Sequence, residues 1–340
     1  ISFNVPTLFI SSNHPVKGKN KTPLVITIVF AKPAATPLFS FATISEIAVN
    51  PKLFAPNAKK IQVDIDVAEL KEENGINIDL KINCDVKNFI DLLNKKKIRW
   101  RQNKNWFNKI ENLKSKYPII QESYYRQRNK VNPYVFFNKL SEIASSNEII
   151  IPDASANLVW AYQAFVPKKN QKIFTALNHS PMGYSVAAAI GASMASKNSQ
   201  VIAIIGDGSM QMNIQELENI KANNLPIKIF VINNNGYGMI KQTINTWMKG
   251  KYVGCDLKSG LSLPDFKKVS NAYGIRSTEI NNHNDLHEKI EYVLKFKGPI
   301  VCDVQLEHDQ QIIPKVKSGS PIHDMLPSLD KEEIISNLKD

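Results

Sequence analysis

The sequence predicts an α/β fold in which helices cover both faces of a parallel sheet. Short apolar runs recur between residues 148 and 304, and amphipathic segments of helical length separate them. Two of the runs, Val201–Ile205 and Ile227–Ile232, flank the amphipathic segment Asn213–Asn223 and end abruptly in glycine and polar residues. A strand–helix–strand unit of this length makes a right-handed parallel crossover, so both strands end on the same edge of the sheet. Ligands of open α/β sheets bind at that edge.

From residue 133 onward, predicted strands and helices alternate regularly, which is typical of a doubly wound parallel sheet. The predicted strands are Glu148–Ile151, Lys172–Thr175, Val201–Ile205, Ile227–Ile232, Arg276–Ile280 and Ile300–Val304. The predicted helices are Tyr134–Ser145, Tyr184–Ala195, Asn213–Asn223, Leu263–Tyr273 and Asn284–Lys295.

A shorter α/β segment precedes this region. Two apolar stretches, Lys60–Ile65 and Ile76–Ile82, and a helix at Val86–Leu93 predict part of a Rossmann-like α/β domain. The predicted organisation is an atypical N-terminal segment (1–53), a partial central domain (54–95), a basic helical linker (96–132), the doubly wound domain (133–306) and a polar C-terminal tail (307–340).

The composition is that of a globular protein. A chain of 340 residues can bury two cores, and 43% apolar with 22% charged residues excludes a disordered or membrane-embedded chain. The net charge of +12 includes one local cluster, Lys95–Lys104, with Trp100 inside it. Such a cluster can bind nucleic acid, but a solvated linker or helix face is the preferred interpretation. We therefore expect neither a nucleic acid nor a membrane partner.

Cysteine and histidine residues give few functional signals. The three cysteines are far apart and form no CxxC motif, which favours a reducing, cytoplasmic location. His283 and His287 are four residues apart and could share a metal-binding helix face, but no third ligand is evident, so a surface helix is preferred. The apolar run Leu24–Phe30 is too short to span a bilayer, and the N-terminus shows no signal peptide pattern.

Polar residues follow the two central strands where each strand ends. Asp207 follows the first strand, and Asn233 and Asn234 end the second. Carboxylate, amide and carbonyl oxygens are the ligands that Mg²⁺ prefers, and the amides of Gly206, Gly208 and the helix start can bind a phosphate. Asp-Gly and Asn-Asn-Gly are also common turn and N-cap sequences. Their occurrence at the ends of two adjacent strands favours a diphosphate held by magnesium.

These residues resemble the thiamine diphosphate signature, in which GDG (Gly206–Gly208) is followed some two dozen residues later by NN (Asn233–Asn234). The stretch from Glu148 to Leu306 resembles the large subunit of acetolactate synthase and related 2-oxo-acid decarboxylases and carboligases, and Phe54–Lys95 resembles them more weakly. The resemblance implies a thiamine diphosphate-binding fold, thiamine diphosphate and Mg²⁺ as cofactors, and a pyruvate-like 2-oxo acid as substrate. It also implies a homo-oligomer, because active sites of this family lie between two subunits.

The resemblance further implies the roles of individual residues. Asp207, Asn234 and the main-chain carbonyl of Gly236 are the implied magnesium ligands, and main-chain groups of Gly208 and Ser209 are implied to hold the diphosphate. The complete set of expected cofactor-binding residues is Ala154, Ser155, Asn157, Ser180, Met182, Asp207, Gly208, Ser209, Asn234, Gly236, Tyr237 and Met239.

Two methionines in this set have alternative interpretations. By the resemblance, Met182 lies under the cofactor and bends its two rings into a V, while main-chain groups of Ser180 and Met182 bind the pyrimidine edge. The bend brings the 4′-imino group to the thiazolium C2 proton, a contact that the relaxed cofactor would not hold. Met239 matches a position that lines the substrate pocket. Either methionine could instead fill core space.

The chain departs from the family at several positions. Family members carry glycine and larger polar side chains where this chain has Ser155, Ala156 and Asn157, and acetolactate synthases carry a large Trp where it has Thr243. The stretch Pro321–Asp330 resembles relatives associated with surface-polysaccharide synthesis. A related thiamine diphosphate enzyme with a different acceptor is therefore an alternative to acetolactate chemistry.

The resemblance does not account for the N-terminal region. The family's pyrimidine-binding domain carries the Glu that activates the cofactor, and no such pattern precedes Phe54, where FATISEIAV (Phe41–Val49) replaces the expected motif. We therefore expect an incomplete chain without a catalytic residue of its own, which takes this Glu from a pyrimidine-domain partner. FAD, which the central domain of true acetolactate synthases holds, is in doubt. The further alternative is a catalytically dead cofactor-binding remnant.

Overall fold

The computed structural model describes residues 10–12, 24–30, 59–71, 76–96, 104–177, 179–197, 199–316 and 324–338. Most of the atypical N-terminal segment and the basic run at 97–103 lie outside these described residues, as does Asn178. The described residues belong to two compact units, one formed by residues 118–313 and the other by residues before 118 and after 313.

The secondary-structure elements are numbered in chain order. The strands are β1 (Ile10–Ser12), β2 (Leu24–Phe30), β3 (Lys59–Asp64), β4 (Leu80–Asn83), β5 (Ile149–Pro152), β6 (Lys172–Ile173), β7 (Val201–Gly206), β8 (Ile227–Asn233), β9 (Arg276–Ile280), β10 (Ile300–Gln305), β11 (Lys315–Val316) and β12 (Met325–Leu326). The helices are α1 (Val67–Lys71), α2 (Val86–Lys95), α3 (Lys104–Lys116), α4 (Glu122–Tyr125), α5 (Pro133–Ile143), α6 (Ala156–Ala164), α7 (Tyr184–Ala195), α8 (Asp207–Met210), α9 (Glu216–Ala222), α10 (Gly238–Trp247), α11 (Phe266–Ala272), α12 (Leu286–Lys295) and α13 (Lys331–Leu338).

A six-stranded sheet organises the first unit. Its strand order is β6-β5-β7-β8-β10-β9, and every neighbouring pair is parallel. The chain runs outward from β5 to β6 and then crosses back to β7 on the other side of β5. This reversal opens a crevice at the carboxyl ends of β5 and β7. The predicted doubly wound α/β fold is confirmed.

Both faces of the sheet are buried, which explains the continuous apolar runs of its strands. In β7, Ile202 and Ile204 face one core together with Phe136 of α5, and helices α6 and α12 cover the same face. Ala203 and Ile205 face the opposite core, which α7, α9 and α11 cover. Each fully buried Ile contributes about 1.5–3 kcal/mol to folding.

The sequence prediction missed two helices of this unit. Helix α6 begins immediately after the loop at the end of β5, and α10 begins in the glycine-rich turn after β8. Helix α6 lacks a clear apolar stripe because the polar Asn157 lies on its buried face and Tyr162, which is 55% exposed, lies away from it. The segment predicted as one helix, Asn213–Asn223, is the end of a 3₁₀ turn (Gln211–Asn213) followed by α9.

In the second unit, strands β1 to β4 form a sheet in the order β1-β2-β3-β4, where β1 is antiparallel to β2 and the others are parallel. Strands β11 and β12 form a separate antiparallel pair. Helices α3 and α13 contact each other through Glu333, whose carboxylate lies 2.5 Å from the Tyr117 hydroxyl and 2.8 Å from the Lys116 ammonium. Segments predicted as linker and tail thus pack together. None of the helices that the structure describes is long and apolar enough to cross a membrane.

Candidate functional site

The loops that follow β5, β7 and β8 meet at the carboxyl edge of the six-stranded sheet. Strands β7 and β8 pair with Gly206 opposite Ile232, so Asp207 and Asn234 follow neighbouring strand ends. This register brings together the two polar signals that the sequence analysis singled out.

Asp207 is almost completely buried and ties the two loops together. Its Oδ1 accepts a hydrogen bond from the Gly208 amide at 2.7 Å, and its Oδ2 accepts one from the Gly236 amide at 3.0 Å. Burial, together with a smaller contribution from nearby Asp303, raises the pKa of Asp207 to about 6, and the amide hydrogen bonds oppose this shift. A cation bound beside this carboxylate would restore its charged form.

The two asparagines at the end of β8 have different roles. The Asn233 amide nitrogen donates to the Asp303 carboxylate at 3.0 Å, which anchors the strand end to β10. The Asn234 side chain is 6% exposed, and within the described part of the chain its amide forms no hydrogen bond. Asn234 borders the cavity described below, so an amide without a protein partner there has the character of a ligand-binding group. Its main-chain carbonyl lies 3.0 Å from Nδ1 of His308.

Two glycines at the site allow close approaches that a side chain would block. A Cβ atom on Gly208 would lie 2.1 Å from Cε1 of Tyr237. A Cβ atom on Gly236 would lie 2.6 Å from the main-chain oxygen of Cys255. Glycine at these positions therefore lets the Asp207 loop, Tyr237 and the turn around Cys255 pack together.

These loops enclose a cavity of about 130 Å³, which ten of the twelve predicted cofactor-binding residues border. The ten residues are Ser155, Asn157, Met182, Asp207, Gly208, Ser209, Asn234, Gly236, Tyr237 and Met239. Six further lining residues were not in the predicted set of cofactor-binding residues, although the amide of Gly206 was expected to bind a phosphate; the six are Ala156, Trp160, Gly206, Ile232, Gly238 and Ile240. Most of these six are small or apolar residues that adjoin predicted residues in the sequence. Several of them lie in the first turns of helices α6 and α10, which were not predicted.

Ala154 and Ser180 do not border the cavity. The Ala154 amide bonds to the carboxylate of Asp153, and the Ser180 amide donates to the Ala176 carbonyl at 2.7 Å. Both amides therefore serve the loop structure itself.

The β5 loop shows why the family prefers glycine there. Ser155 has φ 72° and ψ −149°, a backbone region that is nearly exclusive to glycine and costs another residue about 1–3 kcal/mol. The Asn157 amide nitrogen donates to the Ile204 carbonyl at 3.3 Å, so this side chain links the loop to β7. Ser155 therefore keeps a glycine-like loop shape.

Several buried polar residues behind the cavity were not predicted. Asp153 is fully buried and accepts hydrogen bonds from the amides of Gly183 and Ser185. Lys241 is buried on α10, where its ammonium group donates to the His308 carbonyl, and burial lowers its pKa. Asp153 carried a detectable signal, because like Asp207 it follows an apolar strand directly. Lys241 gave no signal, because a lysine in a helix is ordinarily exposed.

The histidine pair and the cysteines receive no support as alternative sites. His283 accepts a hydrogen bond from the Asn132 amide at 2.8 Å, so its Nε2 has a structural partner. No group of three or more His, Cys, Asp or Glu residues in the described ranges could hold a metal ion. The three cysteines are free thiols.

A larger cavity of about 410 Å³ lies in the second unit, between α3 and α13. It is lined by amide and lysine side chains such as Asn108, Lys116 and Asn337. It contains none of the residues that the sequence analysis singled out, so the smaller cavity at the sheet edge is the candidate site.

The donor set at the sheet edge suits a magnesium-bound diphosphate. One carboxylate, one unpaired amide and a main-chain carbonyl are hard oxygen donors, and Mg²⁺ binds through one or two carboxylates together with phosphate oxygens. The residues present therefore fit the cofactor that the sequence signature implies.

Comparisons with known proteins identify similar proteins for most of the chain. Residues 153–304 match the family model of the thiamine pyrophosphate enzyme C-terminal TPP binding domain. Thiamine pyrophosphate is a synonym of thiamine diphosphate. The acetolactate synthase large subunit of Cyanidium caldarium is 33% identical over 290 residues, which are 84% of this chain and 48% of that protein. The corresponding subunit of Pyropia yezoensis is 31% identical over 78% of this chain and 44% of its own length. Acetolactate synthase 1, chloroplastic, of Zea mays is 28% identical over 80% of this chain and 43% of its own length.

The chain belongs to the thiamine diphosphate-dependent enzyme family, as the family model and these relatives show. Within that family it is similar to the large subunits of acetolactate synthases, over most of its own length. It spans just under half the length of these relatives.

Proposed function

We propose that this chain binds thiamine diphosphate through Mg²⁺ and takes part in the decarboxylation and carboligation of a 2-oxo acid. One observation carries the proposal: Asp207 and the unpaired amide of Asn234 follow adjacent strand ends and border one cavity. Thiamine diphosphate, when bound, supplies the carbon nucleophile and electron sink that this chemistry needs.

The residues of the chain have distinct tasks in this proposal. Asp207, Asn234 and the Gly236 carbonyl would hold the magnesium ion, and main-chain groups of Gly208 and Ser209 would face the diphosphate. Met182 and Met239 border the same cavity, where they would orient the rings and the substrate. Burial of the site excludes water and strengthens each electrostatic contact.

A second chain or domain would complete the site. The cavity of about 130 Å³ is well below the roughly 300–1,000 Å³ of pockets that enclose a whole small-molecule ligand. Among its described lining residues, Asp207 is the one carboxylate. The carboxylate that acts on the pyrimidine ring would therefore come from a second copy of this chain or from a pyrimidine-domain partner.

Thr243 favours an acceptor that differs from that of acetolactate synthases. It is exposed on α10, one turn after Met239 at the cavity, at the position where the resemblance places a large Trp. The smaller side chain leaves more room on this side of the site. A related enzyme that ligates the same donor to a larger acceptor is therefore the second candidate function.

Calorimetric titration of the purified chain with thiamine diphosphate, with and without Mg²⁺, tests the proposal. We expect saturable binding that requires Mg²⁺. Absence of binding at millimolar cofactor with Mg²⁺ would contradict it.

Deuterium exchange at the thiazolium C2 position separates an enzyme from a catalytically dead remnant. Acceleration by the chain, alone or with its partner, supports an enzyme, whereas binding without acceleration in either setting supports a remnant. Release of CO₂ from pyruvate, and the ligation product formed with added aldehydes or 2-oxo acids, then identifies the donor and acceptor.

A further inference from the structure

The turn that carries Met182 is held from two sides, by the fully buried side chain of Asp153 and the half-buried side chain of Asn213, neither of which borders the cavity. It connects β6 to α7, and Gly183 in its left-handed conformation (φ 89°) is the last residue before the helix. Met182 borders the cavity, and Gly183, its neighbour in the turn, does not. The contacts that fix Gly183 therefore also set the position of Met182.

Asp153 holds the first side of this turn. Its carboxylate accepts hydrogen bonds at 3.0 Å from the amides of both Gly183 and Ser185. The Ser209 hydroxyl and the Ala154 amide also bond to it. Burial raises the pKa of Asp153, and these hydrogen bonds counteract that shift. The end of β5 is thereby linked to the turn and to the loop after β7.

Asn213 holds the second side. Its amide nitrogen donates to the Gly183 carbonyl at 2.9 Å. Its approach is so close that a Cβ atom on Gly183 would lie 2.9 Å from the Asn213 amide nitrogen and 3.0 Å from Cβ of Met212. Gly183 is therefore bonded through its amide to Asp153 and through its carbonyl to Asn213.

We propose that Asn213 is a positioning residue that, with Asp153, fixes the Met182 turn against the ring end of the cofactor. This inference rests on the proposed function. Asn213 does not border the cavity, and it acts through Gly183. Loss of its hydrogen bond should free the turn at the ring end and leave the groups at the diphosphate end in place.

The test compares two ligands that share the diphosphate. Thiamine diphosphate contacts both ends of the site, whereas inorganic pyrophosphate contacts the diphosphate end alone. Asn213→Asp keeps the size of the side chain but faces the Gly183 carbonyl with an acceptor in place of a donor. We expect this variant to bind thiamine diphosphate at least about tenfold more weakly with Mg²⁺, and pyrophosphate within about twofold of wild type. Asn213→Ala, which removes the bond without repulsion, should weaken cofactor binding about threefold to tenfold.

Asn223 supplies a matched control. Its amide nitrogen also donates to a main-chain carbonyl at 2.9 Å, that of Asn219, but on the exposed end of α9. Asn223→Asp should leave both affinities unchanged. Asn213→Asp with wild-type affinity for thiamine diphosphate, or with equal losses for both ligands, would overturn the inference. A wild-type chain that binds pyrophosphate but no thiamine diphosphate would instead overturn the proposed function, and this inference with it.

Hydrogen exchange of the ligand-free chain provides a readout that needs no cofactor. The Gly183 and Ser185 amides are bonded to a buried carboxylate, so they should exchange slowly in wild type. Asn213→Asp and Asn213→Ala should speed exchange at these two amides about tenfold or more, and Asn223→Asp should not. Unchanged exchange in folded Asn213 variants would contradict the inference.

Discussion

The two edges of the six-stranded sheet bury polar groups in different ways. At the amino edge, the Lys228 ammonium donates to the carbonyls of Phe296 and Gly298. Glu148, also at this edge, accepts hydrogen bonds from the Gln200 side chain at 2.6 Å and the Ser145 amide at 2.8 Å. Buried charge at this edge is therefore satisfied by the protein itself.

The carboxyl edge leaves binding capacity unused. There the Asn234 amide has no hydrogen bond among the described residues, and Ser155 has a backbone conformation suited to glycine. The Ser155 conformation costs stability, and the Asn234 amide keeps its hydrogen-bonding capacity at the cavity. The polar groups at the amino edge therefore stabilise the fold, whereas those at the carboxyl edge remain available for binding. Substitutions at the amino edge should chiefly lower stability, and substitutions at the carboxyl edge should chiefly change cofactor binding.

Asp207→Asn should have the largest effect on binding. It removes the charge of the carboxylate but retains its size, and we expect affinity for thiamine diphosphate with Mg²⁺ to fall at least about 100-fold, because Asp207 is the proposed direct ligand and loss of even an outer-shell partner of a metal costs about 10–100-fold. Its cost in unfolding free energy should not exceed about 1–3 kcal/mol, that of one unpaired group. Calorimetry and urea denaturation measure the two quantities.

Asp303→Asn is the matched control for that substitution. Asp303 is also buried, and burial raises its pKa to about 6, but it bonds Asn233 and does not border the cavity. Equal losses of cofactor affinity in the two variants would show that Asp207 acts through general charge alone.

Gly208→Ala should weaken both binding and stability. The added methyl would lie 2.1 Å from Cε1 of Tyr237 and must displace that ring, which borders the cavity. We expect about tenfold weaker cofactor binding and a loss of about 1–3 kcal/mol in unfolding free energy, typical of overpacking. Gly191→Ala, where a Cβ atom meets nothing within 4 Å, is the control. It should leave binding unchanged and raise the unfolding free energy by about 0.5–1 kcal/mol, because Gly191 lies inside α7.

Lys228→Met should destabilise the fold and leave binding unchanged. The substitution leaves the Phe296 and Gly298 carbonyls without their partner, at a cost of about 1–3 kcal/mol. Exposed Lys169→Met is the control. A change in cofactor affinity above about threefold in Lys228→Met would show that the two edges are not independent.

The pH dependence of this variant has a definite sign. Burial lowers the pKa of Lys228 from 10.5 to about 8. Between these values the unfolded chain binds the proton more strongly, so the contribution of Lys228 to stability rises with pH. The stability difference between wild type and Lys228→Met should therefore widen from pH 8 to pH 10.5 in urea titrations.

Ser155→Gly should have the smallest effect, and it should be stabilising. Glycine adopts the conformation at φ 72° and ψ −149° without strain, although it also increases the entropy of the unfolded chain. We expect a net gain of about 1 kcal/mol in unfolding free energy. A decrease would show that the serine hydroxyl, and not the backbone, stabilises this loop.

The sequence was sufficient for the fold and for the two strand ends of the site. All six strands were predicted within about two residues, four of them from apolar runs, and turn glycines beside Asp207 and Asn234 marked the carboxyl edge. Helix α6 could not be found by periodicity, because the polar Asn157 lies on its buried face and Tyr162 lies exposed.

Long-range contacts explain the remaining omissions. Asp153 and Asn213 are 60 residues apart in the sequence, and Gly183 joins them, because its amide donates to Asp153 and its carbonyl accepts from Asn213. No local pattern encodes such a contact. Likewise, Ala154 and Ser180 lie in the predicted loops, but their amides are used within the loops, which residue type alone does not reveal.

The central claim is that two adjacent strand ends share one divalent ion. A crystal structure of the chain with thiamine diphosphate and Mn²⁺ in place of Mg²⁺, with the metal located by anomalous scattering, tests it directly. We predict one strong anomalous peak for the metal, at about 2.0–2.3 Å from a carboxylate oxygen of Asp207, the amide oxygen of Asn234 and the carbonyl oxygen of Gly236. A fully occupied cofactor whose metal contacts neither Asp207 nor Asn234 would contradict it.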